Sequence, residues 1–231
     1  MCWRKLKMTG IPAIFPESKV EISKQEYDEY LLLKKKNELE KYASVFWQKL
    51  AKELFHLSIP EKIVPIYVKI VSFEQRLKEG ITEATMSPRP MPNGKEFVAI
   101  TVHMHEYSAL ETLQQNMRHE LLHLALYMNG LKHSDYDAIF KVVCDFYDAH
   151  FYKKLTGLEQ EIYEATSRQI EEAEELCKEY NDSVLWNIMC EIIQVVGNVN
   201  ITESSLIPHL VKQVEEKVFD LKNYIEYGLK N

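Results

Sequence analysis

From Ile22 to about His56, apolar residues such as Tyr27, Leu31, Leu39, Phe46 and Leu50 recur at helical spacing. Ser23 precedes Glu26 by three positions, the spacing of a capping box. One long helix is predicted, or two with a break near Asn37. Pro60 and Pro65 interrupt that period, and the β-branched and aromatic run from Ile63 to Phe73 predicts a strand. Ile81–Met86 reads as a second, short strand. The Pro-rich stretch Ser87–Gly94 reads as a loop closing on the turn signal Asn93-Gly94, and Phe97–His105 as a third strand. Helical periodicity returns from about Ser108 to Asn129 and stops at Gly130. It resumes after the segment Leu131–Phe140 and runs to about Leu155. Beyond Gly157 the pattern is helical over about Leu158–Tyr180, Ser183–Val196 and Ser204–Leu229, with Gly197-Asn198-Val199-Asn200 as a loop.

This order predicts an α+β protein: a small three-stranded sheet with a long N-terminal helix and a further helix directly after the third strand, then an all-helical C-terminal segment. The divisions expected are an irregular lead-in over 1–20, a main domain over 21–154 and a helical segment over 155–231. With 231 residues, 46% of them hydrophobic, the chain is long enough to bury a sizeable core. No run approaches the roughly 18 apolar residues of a membrane span, and the first residues lack an apolar signal core, so no membrane association and a cytoplasmic location are expected. The net charge of −7 is unevenly spread: residues 155–231 hold 6 Lys and Arg against 15 Asp and Glu. A nucleic-acid reader usually carries a basic stripe, which this balance does not offer, and Lys34-Lys35-Lys36 reads as a solvated helix face. Cys2, Cys144, Cys177 and Cys190 form no Cys-x-x-Cys pair, so they read as reduced thiols rather than a zinc ribbon or a disulfide framework.

The helix over 108–129 changes the picture, because it contains His119-Glu120-Leu121-Leu122-His123. At about 100° per residue, His119 and His123 lie about 40° apart, with Glu120 in the same arc. Two neutral imidazoles one turn apart can bind one Zn²⁺, and the carboxylate between them can take a proton from a water on the metal. Glu120 is therefore expected to be the base, not a ligand. A catalytic zinc uses three protein ligands and keeps a position for water, so a third must come from elsewhere. His133, at the connection after Gly130, is the best candidate, with Asp148 and His150 as alternatives. His103 and His105 share one face of the third strand, which reads more readily as a polar strand face than as a cleft lining. Tyr107, Tyr127 and Tyr136 are candidate oxyanion donors.

These residues resemble the SprT-like zinc metalloproteases, with Spartan on the eukaryotic branch. The resemblance covers roughly 38–154 and rests on an ordered set: Phe46-Trp47-Gln48-Lys49-Leu50 ending a helix, three strands, the His119–His123 motif, and Gly130–Phe140 carrying His133 ahead of Phe140. The cysteine ribbon common in that family is not present in this sequence, and Ser134 stands where glycine is frequent. The resemblance implies a zincin-type helix, zinc held by His119, His123 and His133, Glu120 as general base, and a protein or peptide substrate. It also implies association with nucleic acid, which the charge does not support. Two other classes stay open: a metal-dependent hydrolase of non-peptide substrates, and an interaction protein with a vestigial zinc site.

Overall fold

The structure is a computed structural model, and it describes residues 23–54, 57, 59, 66–90, 96–177, 182–198, 201–223 and 227. The lead-in expected over 1–20 and the Asn93-Gly94 turn lie outside the described residues. The fold is α+β and mostly helical: seven helices and a three-stranded mixed sheet among the described residues.

Helix α1 (Lys24–Glu53) is continuous, with no break at Asn37, and starts at the capping box its sequence announces. Ser23 N donates to Glu26 Oε2 at 2.8 Å, and Glu26 N donates to Ser23 Oγ at 3.2 Å. Leu39, Ala43, Phe46, Trp47 and Leu50 are its buried residues, a stripe at i, i+4, i+7, i+8 and i+11. Strand β1 (Ile66–Ile70) stops short of the Phe73 that the sequence pattern predicts as its end, and a short helix α2 (Phe73–Glu79) follows. Ser72 caps α2 by accepting from Gln75 N at 3.0 Å, and Gly80 ends it at φ +62°.

Strand β2 (Ala84–Pro90) overturns the expectation of a loop beginning at Ser87. Its prolines explain how. The sheet order is β1-β3-β2, with β1 parallel and β2 antiparallel to the central β3 (Glu96–Met104), so β2 is an edge. His103 N donates to Glu83 O at 2.8 Å, one step outside the pair Ala84↔Val102. The antiparallel alternation then gives the ladder bonds to Thr85, Ser87 and Arg89, and turns the amide positions of 84, 86, 88 and 90 outward. Pro88 and Pro90 therefore cost the ladder nothing.

Helix α3 (Leu110–Met128) lies against both the sheet and α1. Leu113, Met117, Leu121, Leu122, Leu124 and Ala125 join Phe46, Trp47, Ile100, Val102 and Met104 in one core. The helix closes in a Schellman motif: Gly130 at φ +67° donates to Tyr127 O, and Leu131 N to Leu126 O at 3.1 Å. Helix α4 (Ala138–Phe146) is shorter than the pattern predicted, stopping well before Leu155. Its end is also a Schellman closure, with Asp148 N donating to Asp145 O and Ala149 N to Cys144 O at 2.8 Å, but the left-handed position is filled by Asp148 at φ +51° rather than by glycine. The compensation is Arg118 of α3, whose Nη1 donates to the Asp148 carbonyl at 2.8 Å and to its carboxylate at 3.1 Å. No local residue signals this stop.

The C-terminal helices α5 (Gly157–Cys177), α6 (Asp182–Asn198) and α7 (Ile207–Asn223, after a 3₁₀ turn at Ser204–Leu206) pack on one another, and α5 and α6 also pack on α4. Gly197 and Asn198, expected in a loop, belong to α6. Ile192, Ile193, Val196, Leu210 and Val214 extend the same core that contains α1 and α3. Cys144 and Cys190 are buried and neither is in a disulfide, as their spacing suggests, and the Cys190 thiol donates to Glu53 O at 3.6 Å. Among the described residues no helix is long and apolar enough to cross a membrane.

Trp47 sits almost fully buried between α1 and the rest of the core. Trp47→Ala is expected to lower the unfolding free energy by about 3–5 kcal/mol through lost burial and the cavity left behind, as read by denaturant unfolding.

Candidate metal centre

The polar face of α3 is buried, which is unusual for four polar positions in a row of turns. Asn116, His119, Glu120 and His123 stand at i, i+3, i+4 and i+7, and the first three are under a tenth exposed. Both imidazoles are oriented from behind by backbone carbonyls. His119 Nδ1 donates to His150 O at 2.7 Å, and His123 Nδ1 donates to His133 O. With Nδ1 carrying the proton, each Nε2 presents a lone pair, and the two Nε2 atoms lie 3.0 Å apart. Phe140 of α4 fixes the ring planes: it stacks on His123 at 3.7 Å between centroids and meets His119 edge-on at 5.0 Å.

A third atom converges on that point. Asp135 Oδ1 lies 3.1 Å from His119 Nε2 and 3.3 Å from His123 Nε2, and no donor is bonded to this buried oxygen. Three lone-pair atoms facing one another at this range repel unless a proton or a cation lies among them. Bonds of about 2.0–2.1 Å from one cation, at tetrahedral angles, place ligand atoms about 3.3 Å apart. The separations of 3.0–3.3 Å fit that test, and His119, His123 and Asp135 form the group that can hold a metal ion.

The expected third ligand, His133, is not brought to this group by its side chain. Its backbone carbonyl serves His123, while its ring bonds Leu131 O through Nδ1 at 3.0 Å and meets Tyr127 edge-on. The physical reason is the tight path after Gly130, which turns the His133 carbonyl inward and leaves Asp135, two residues on, to present its side chain. Asp135 stands inside the segment that drew attention to His133, and a carboxylate there is as good a donor as an imidazole. Neither alternative brings its side chain to the group: Asp148 carries a largely exposed carboxylate paired with Arg118, and His150 contributes its carbonyl to His119. His103 bonds Thr82 O at 2.9 Å and His105 faces Arg76 at 3.1 Å, so both serve the strand.

Glu120 is buried beside the group, against the edge of β2, where the outward Met86 N–H bonds its carboxylate. Burial raises its pKa; His123, His119 and the Met86 bond oppose the rise, and Asp135 adds to it, so the net position is above that of an ordinary glutamate. For His119, burial acts downward, but the contact with Asp135, the His150 carbonyl and the charges of Glu120 and Asp135 outweigh it and raise the pKa. Asp135 is held well below the usual carboxylate range, chiefly by His119 and His123.

Two further side chains escaped the sequence reading. Tyr152 sets its ring edge-on to His119 at 5.3 Å and donates its hydroxyl to Asn116 Oδ1. Burial, and then the charges of Glu83, Glu120 and Asp135, push its pKa up to about 12, so the hydroxyl keeps its proton near neutrality. Asn116 Nδ2 donates to Glu83 Oε2 at 2.5 Å, and Glu83 pairs with Arg76 at 2.7 Å. Asn116 was detectable as the polar residue one turn before His119; Tyr152 had no signal among 13 tyrosines. Of the candidate oxyanion donors, Tyr107 and Tyr136 are mostly exposed, and Tyr127 is half-exposed against His133.

The two candidate third ligands are separable by titration. Asp135→Ala is expected to weaken divalent-metal binding by about two orders of magnitude or more, while His133→Ala retains it within about tenfold, as measured by competition with a chromophoric chelator. Affinity is also expected to fall as the pH drops below neutrality, because protons held more firmly by His119 than by a free imidazole compete with the cation.

Compared with known proteins, the chain matches no family model, no curated protein and no solved structure.

Proposed function

We propose that the protein is a zinc-dependent peptidase of the kind its motif resembles, with His119, His123 and Asp135 holding the metal and Glu120 as general base. The convergence of His119 Nε2, His123 Nε2 and the bare Asp135 Oδ1 within 3.0–3.3 Å carries this reading. Two imidazoles and one carboxylate form a ligand set that suits zinc, whose preferred geometry is tetrahedral and whose catalytic sites keep one position open. When bound there, zinc supplies Lewis acidity toward a carbonyl and lowers the pKa of a coordinated water.

The chain's own groups do the rest. Glu120, with its pKa raised by burial, is a stronger base than a solvated glutamate and is suited to accept a proton from water and hand it to a leaving amine. The Met86 amide bonds its carboxylate and offsets part of the rise that burial causes. Tyr152 keeps its proton and stands edge-on to His119, and its hydroxyl can serve charge developing on a carbonyl oxygen by exchanging its bond to Asn116 Oδ1 for one to that oxygen. The edge strand β2 beside α3 favours a peptide over other substrates, because outward carbonyls on an edge accept N–H bonds from an extended chain. Association with nucleic acid rests on the family resemblance alone.

The decisive variant is Glu120→Gln. It is expected to bind one zinc per chain like the wild type and to lose cleavage of an unfolded protein substrate by about two to four orders of magnitude. Cleavage retained at the wild-type rate would remove Glu120 from the role of base.

A further inference from the structure

The connection between α3 and α4 presents both Asp135 and the carbonyl that orients His123, and nothing in the seven residues from Leu131 to Asp137 forms a helix or strand. Its inner bonds make a turn: Ser134 N donates to Asp137 Oδ2 at 2.6 Å, and Asp137 N donates to Ser134 O at 2.9 Å. Because its carboxylate is used in this turn, Asp137 makes no side-chain cap on α4. The cap comes instead from the C-terminal helices. Glu159, in the first turn of α5, accepts the Ala138 amide on Oε2 at 2.7 Å and pairs with Lys132 through Oε1 at 3.2 Å. One carboxylate thus holds both ends of the connection. A carboxylate at the N-terminus of α4 is also favoured by the helix dipole.

A second contact fastens the same connection from α6. Leu131, 5% exposed, lies under Gly197 so closely that a Cβ built on Gly197 would meet Leu131 Cδ2 at 3.0 Å. A side chain at 197 would need Leu131 to give way by a few tenths of an ångström, so the fit there is set by proximity, not by backbone conformation.

We propose that Glu159 is a positioning residue of the metal centre, holding Lys132 and Ala138 so that the connection between them presents Asp135 to His119 and His123. The inference rests on the metal-centre reading. The C-terminal helices are then part of the site, although they contribute no ligand.

The test uses the full chain and two readouts: Zn²⁺ affinity by chelator competition, and the visible absorption of the Co²⁺-loaded protein, which follows ligand geometry. Glu159→Ala is expected to weaken Zn²⁺ binding by about tenfold to a hundredfold, the range for lost support of a ligand, and to alter the Co²⁺ bands. Glu159→Gln, which keeps an acceptor for Ala138 but not the charge facing Lys132, is expected to lose less. Tyr163→Phe removes a different tie between α4 and α5, the 2.7 Å bond to Asp145, and is expected to change neither readout. If Glu159→Ala does not fold, Lys132→Met, which removes the ion pair while leaving the cap, takes its place with a smaller loss expected. Wild-type affinity and spectrum in Glu159→Ala, or an equal loss in Tyr163→Phe, would overturn the inference. A wild-type chain that takes up neither metal overturns the metal-centre reading and this inference with it.

Discussion

The bonds from His119 Nδ1 to the His150 carbonyl and from His123 Nδ1 to the His133 carbonyl set the chemistry of the whole centre. They fix the tautomer of both rings, so that the two Nε2 lone pairs face inward and meet the Asp135 carboxylate. Neither carbonyl comes from α3. They come from the connections before and after α4, which makes the short α4 the element that aligns the centre. Its Phe140 packs against both rings, and its two ends deliver the orienting groups.

Those connections lack regular structure, so each is held by a charged side chain from a neighbouring helix. Arg118 of α3 holds Tyr147 and Asp148, upstream of His150, and its Nε also bonds the Tyr42 hydroxyl of α1. Glu159 of α5 holds the other connection. One turn before His119 on the same face of α3, Asn116 joins Glu83 and Arg76 in linking the centre to α2 and the start of β2. The candidate ligand cluster thus sits where elements from both halves of the sequence meet, and its precision depends on tertiary contacts more than on the helix that bears the motif.

This explains what could and could not be read from the chain. The pattern of α1, with its Ser23–Glu26 box, and of α3, with its Gly130 stop, is local chemistry, and the structure follows it closely. The three strands were legible by position, but β2 was cut short because prolines argue against a strand unless its edge position is known. The end of α4 was invisible because the left-handed residue is Asp148, supported by an arginine 30 positions earlier. Within the site, His119, Glu120 and His123 follow from helical spacing alone. The exchange of His133 for Asp135 does not, since it depends on which way an irregular connection turns its carbonyl and its side chain.

The two prolines of β2 have a consequence for how this protein meets other chains. Of the outward amide positions on β2, 88 and 90 have no hydrogen to give, and Met86 gives its own to Glu120. The edge is therefore rich in acceptors and poor in donors. A second β2 laid against it would bring the same imbalance, carbonyl facing carbonyl, so the regular two-way ladder by which exposed edges polymerise does not form easily there. A strand bordering a candidate centre can thus remain open to solvent without being a seed for stacking one molecule on the next.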